Sequence, residues 1–105
     1  MTGQLDRAVG RLVNHVAHWT PPRWAASSAS GAGSRADVMY DLVQGLADLG
    51  ADAEGRPRRG VPRLDNVLAL PDQLRVVAAD LIAADPDQAV LAAATERVAA
   101  ADTSM

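Results

Sequence analysis

The sequence contains no cysteine, no lysine and no phenylalanine, and its aromatic residues are two Trp and one Tyr among 105. Without cysteine, disulfides, thiolate zinc sites and thiol nucleophiles are excluded. Without lysine, no P-loop can form: Gly31-Ala32-Gly33-Ser34 precedes a helical pattern but follows no strand. No window reaches the 18 or so apolar residues of a membrane helix, and the N-terminus lacks a basic stretch followed by an apolar run. The expectation is a cytoplasmic protein with no membrane contact.

Strong hydrophobes are also scarce. Eleven Leu, eleven Val and one Ile sit just above the roughly 20% below which chains tend to be disordered, while 22 alanines supply much of the rest. Alanine favours helix but buries little area, so helix is easy and core energy is thin. That balance points to close helix packing or to a subunit partner that adds burial. All ten cations are Arg and eleven of thirteen acids are Asp, a bias that fits a GC-rich coding sequence better than a selected function. With a formal net charge of −3, polyanion binding would have to rest on a local patch.

The apolar spacing is helical throughout. Leu5, Val9, Leu12, Val13 and Val16 share one face of a helix from about 4 to 19, which Pro21 and Pro22 stop. Residues 25–34 read as a flexible linker of small residues with nothing to bury. Ser34 and Asp37 form a capping-box pair for a second helix carrying Val38, Met39, Leu42, Val43, Leu46 and Leu49, with Gly50 as its stop. An Arg- and Pro-rich loop follows at about 51–63, then an apolar stretch at 64–70 that suits a short helical turn. Pro71 opens a third helix to about 84, with Leu70, Leu74, Val77, Ala78 and Leu81 on one face. Asp85, Pro86 and Gln88 mark the start of a fourth, to about 101, with Val90, Leu91, Ala94 and Val98 inward and residues 102–105 frayed. The expected fold is one all-α domain over 1–105, a small four-helix bundle with a C-terminal antiparallel helix hairpin.

Candidate chemistry is concentrated in two places. Both histidines and both tryptophans lie between positions 15 and 24. His15 and His18 could share a helix face with carboxylates from Asp37, Asp41 and Asp48, but no Glu-x-x-His or His-Glu-x-x-His motif accompanies them, so no metal and no cofactor is expected. No serine sits in a nucleophile elbow, and no catalytic residue is nominated. Trp and Arg are enriched at interface hot spots, so Trp19, Arg23 and Trp24 are the candidate partner-binding residues, with one Trp in the core and the other exposed; the competing reading makes them core residues only. The second place is Arg56, Arg58, Arg59 and Arg63, a candidate anion-binding loop; the competing reading has these guanidinia bridging the Asp-rich helices of the same molecule. No aromatic interleaves with them, so nucleic acid is an alternative but not the favoured one.

The reading that follows is a non-enzymatic helical interaction or assembly module, a homodimer or the subunit of a protein partner. The alternatives are an anion or nucleic-acid binding regulator using the arginine loop, and a small-molecule or metal-binding bundle.

Overall fold

A computed structural model describes residues 3–31 and 33–105. Among the described residues five α-helices form: α1 (Gly3–Val16), α2 (Pro21–Ala25), α3 (Arg35–Ala53), α4 (Leu70–Ala83), which continues a 3₁₀ turn (Val67–Ala69), and α5 (Gln88–Ser104). Among the described residues the only β-type pairing is an isolated antiparallel bridge between Ser27 and Ser34. The fold is the all-α bundle that the periodicity requires.

The four long helices close a ring in the order α1, α4, α3, α5. Every strong hydrophobe assigned to the face of the first helix is buried, as are Met39, Leu42, Val43 and Leu46 on α3, Leu70, Leu74 and Leu81 on α4, and Leu91 and Val98 on α5. These residues belong to one continuous core. A Cβ added at Gly50 would meet the Leu81 Cα at 3.9 Å, an ordinary van der Waals contact.

One helix end differs from expectation. Gly50 is a packing residue inside α3, and the helix runs on to Ala53 before Gly55 (φ 69) turns the chain. There the N–H of Arg56 bonds the carbonyl of Ala51 and the N–H of Gly55 that of Asp52, a Schellman closure. The Arg-rich loop therefore begins later than at 51.

A tight turn joins α4 to α5 in the C-terminal hairpin, and in the ring each of the two packs most closely on α1 and α3, which places them across from one another. Asp85 adopts the left-handed region (φ 50), and the N-cap of α5 is Asp87, extended with ψ 155. The chain thus crosses the end of the bundle before its last helix starts.

Residues 25–34 are not a passive linker. The short helix α2, started by the proline pair, precedes them. Hydrogen bonds from Ser28 N to Gly33 O (3.0 Å), Arg35 N to Ala26 O (2.9 Å) and Ala29 N to Ser104 O (2.7 Å) hold the stretch, and Ser28 is buried. Ala32 of that stretch lies outside the described residues. The last turn of α5 is tied down by the same bonds: Met105 is buried, and its carbonyl accepts from Arg35 Nε at 3.1 Å.

Candidate functional site

The tryptophan cluster is built from α1, α2 and the start of α3. The chain leaves α1 through a turn closed by Trp19 N to Val16 O (3.1 Å), and Thr20 O then accepts from Trp24 N (3.1 Å) to begin α2. This folds the two indoles together edge-on, with ring centroids 4.9 Å apart. Both are core residues: Trp19 is 7% and Trp24 1% exposed. The expectation that one indole stays open for contact is not met, because the proline pair turns α2 back onto α3 and carries Trp24 inward. Arg23 remains exposed, but its guanidinium lies over the Trp19 ring at 4.9 Å, with Arg35 likewise at 5.0 Å. Arg35 also donates to the Arg23 carbonyl (3.2 Å). The arginines thus roof the cluster, a cation–π arrangement worth about 0.5–1 kcal/mol each at such sites.

His15 packs edge-on against Trp19 at 5.5 Å and places Nδ1 2.7 Å from Asp102 Oδ1. The pair joins the last turn of α1 to the last turn of α5. Asp37, from the carboxylate row weighed beside the histidines, is used elsewhere. Among the described residues, no group of three or more His, Asp or Glu is placed to hold a metal ion.

The arginine loop is largely satisfied from within. Arg58 forks onto Asp52 through two bonds of 3.0 and 2.7 Å, Arg56 reaches Glu54 at 3.2 Å, and Arg63 bonds Asp37. Asp37 is at the same time the capping residue of α3, exchanging bonds of 3.1 Å with Ser34 in both directions. The Arg63 guanidinium first, then the Ser34 N–H and hydroxyl, hold the Asp37 carboxyl below the usual range. Arg58 does the same for Asp52, and Asp52 in turn raises Arg58. These are exposed pairs, so each contributes little stability. Arg59 is the exception: among the described residues no carboxylate engages its side chain. It lines, with Arg56, Asp80, Leu46, Val61 and Val77, a cleft of about 210 Å³ between α3, the loop and α4.

The loop backbone is held by side chains instead of regular structure. The Gln44 amide accepts from Val61 N (2.7 Å) and donates to Arg59 O (3.0 Å), the Tyr40 hydroxyl donates to Val61 O (2.5 Å), and Gln73 Nε2 donates to Pro62 O (3.0 Å). The Pro62 contact fixes the orientation of the Gln73 amide, and leaves its Oε1 buried without a donor among the described residues.

This anchoring presents a surface that the sequence did not announce. Leu64 is 48%, Leu68 49% and Val76 59% exposed, the large apolar side chains that stand most open to solvent. Leu64 and Val76 line a shallow depression of about 300 Å³ with Val61, Ala69, Asp72, Gln73 and Val77, and Leu68 is the neighbour of Ala69 in sequence. Val61 and Val77 form the ridge shared with the Arg59 cleft. The four-residue spacing of Asp72, Val76 and Asp80 is visible in the sequence, but the buried stripe of α4 does not reveal this face.

The chain matches no protein-family model, no curated protein and no solved structure at a significant level. Among the described residues, no helix is long and apolar enough to cross a membrane.

Proposed function

We propose that the protein is a non-enzymatic interaction module, a helical scaffold that presents the Leu64, Leu68 and Val76 surface to another protein. The observation that carries this reading is the depression lined by the half-open Leu64 and Val76, with the exposed Leu68 next in sequence to its lining residue Ala69. Single exposed hydrophobes are ordinary on any surface, whereas a contiguous group marks a contact face. Covering what remains open of each would contribute roughly 1 kcal/mol, about half of the 1.5–3 kcal/mol for burying a whole Leu or Val. Arg23 lies over the Trp19 ring, and the indoles contribute to folding, not to contact. The partner is a protein in this reading, a second copy included; no membrane or cofactor is involved.

The test compares the wild type with a Leu68→Ser/Val76→Ser variant in quantitative co-purification. A specific partner held by the wild type and lost by a variant of unchanged helical content is the expected result. Equal retention by both would refute the assignment of this face. Arg59 supports a second reading, an anion site in its cleft with Arg56 beside it. That reading requires affinity for a polyanion such as heparin to fall steeply with salt and to be lost in Arg59→Gln.

A further inference from the structure

We infer that the Leu64, Leu68 and Val76 face accepts a basic amphipathic helical segment of another protein, with apolar side chains in the depression and Lys or Arg along its flank. The inference rests on the interaction reading above and specifies the chemistry of the partner.

The geometry supplies the spacing. Asp72 and Val76, four residues apart on α4, share one face and line the depression, and Leu68 stands in the 3₁₀ turn that leads into that helix. At about 1.5 Å per residue, Leu68 and Val76 stand about 12 Å apart along the helix, which two turns of a partner helix span with anchors at i, i+3 or i+4, and i+7. Leu64 closes the depression on the loop side.

The charges choose the occupant. Asp65 adjoins Leu64, Asp72 lies between Leu68 and Val76, and Asp80 follows one turn later; all three are exposed. None takes part in the ion pairs that engage Asp37, Asp52, Glu54 and Asp102. The guanidinium interleaved with them on α4 is Arg75, while Arg63, beside Leu64, is held by Asp37. Across the Val61–Val77 ridge, Asp80 shares its cleft with Arg56 and Arg59. The preference for a cation therefore resides in Asp65 and Asp72, and the basic flank of the partner lies toward the N-terminal end of α4. A second copy would bring the same carboxylates against themselves between chains of net charge −3. Phosphate-bearing partners meet the same repulsion.

Two synthetic helical peptides test this. They share one leucine stripe and differ only in carrying lysine or glutamate at the flanking positions, and binding is read by fluorescence anisotropy at two salt concentrations. The lysine peptide should bind at least about tenfold more tightly, a difference of about 1.4 kcal/mol. Leu68→Ser/Val76→Ser should abolish binding. Asp65→Asn/Asp72→Asn should reduce the lysine preference to under about threefold and flatten its salt dependence. Asp41→Asn/Glu96→Gln, which removes exposed carboxylates from α3 and α5, should change neither. Equal binding of the two peptides, no binding of either, survival of binding in the Ser variant, or an equal loss in the Asp41/Glu96 control would each overturn the inference. Light scattering separates it from the broader reading. A wild-type dimer dispersed by Leu68→Ser/Val76→Ser would assign the face to a second copy, sinking the basic-partner inference while leaving the interaction module standing.

Discussion

Replacing Trp24 with alanine should destabilise the protein by about 3–5 kcal/mol, the range found for removing a buried large aromatic. Trp24 is 1% exposed, so folding removes nearly all of its surface from water. A buried Trp hides about 200 Å², and at about 25 cal/mol per Å² that is about 5 kcal/mol before the alanine's own share is subtracted. The edge-on contact with Trp19 at 4.9 Å is lost in addition. A domain of this length has about 5–15 kcal/mol in total, so the variant forfeits a large part of its stability. Urea denaturation followed by circular dichroism reads this directly. With a slope of about 2 kcal/mol per M, the midpoint should fall by about 2 M. Trp24→Phe, which keeps a ring in the site, should recover more than half of that loss. If Trp24 instead served an external partner, its removal would stay within about 0.5 kcal/mol, as surface changes do. A midpoint within about 0.3 M of wild type at unchanged slope would therefore refute the core assignment.

Two glycines should respond in opposite directions. Gly10 lies within α1 with nothing within 4 Å of an added Cβ, so Gly10→Ala should add about 1 kcal/mol and raise Tm by about 4–8 °C; a lower Tm would contradict it. Gly55 closes α3 at φ 69, where a side chain is strained, and Gly55→Ala should lower stability by about 1 kcal/mol in the same assay, no change being the refuting result. The acid limb of the pH–Tm profile should depend on Asp37 and Asp52. Folding lowers both pKa values, mainly through Arg63 and Arg58 respectively, so the native state holds these protons more weakly than the unfolded chain. Their stabilisation is complete above the ordinary Asp value of about 3.9 and is lost as pH falls through the native values. Asp37→Asn/Asp52→Asn should flatten that limb, and an unaltered limb would show that the pairs do not form in solution.

Local signals were legible because they need no tertiary context. The one-face spacing of Leu5, Val9, Leu12, Val13 and Val16, and the reciprocal Ser34–Asp37 cap, follow from helix geometry alone. Gly50 misled because a glycine inside a helix and one that ends a helix are the same letter, and only the continuation of α3 to Ala53 decides between them. The inward turn of Trp24 depends on α2, a helix of five residues that is too short for periodicity to reveal. The diagonal placement of α4 and α5 is set by which faces α3 and α1 already occupy, a property of the assembled ring. The same holds for the Leu64, Leu68 and Val76 face: these residues look like ordinary core formers until the bonds from Gln44, Tyr40 and Gln73 fix where the loop lies. Of the loop arginines, the reading in which they bridge carboxylates of their own molecule describes Arg56, Arg58 and Arg63, and leaves Arg59.

The ring order has a consequence for how the chain is made. Of these helices, α1 precedes its closest partners by far: it packs most closely on α4 and α5, which begin about fifty and about seventy residues after it ends. At translation rates of about 5–20 residues per second, the Leu5 to Val16 face waits roughly 3–10 s before Leu70 and its neighbours are even polymerised. An α1 peptide of this length is only marginally helical by itself. Until α4 is made, the Leu5 to Val16 face is therefore an uncovered, weakly structured apolar segment, and the ring closes only once α5 has followed.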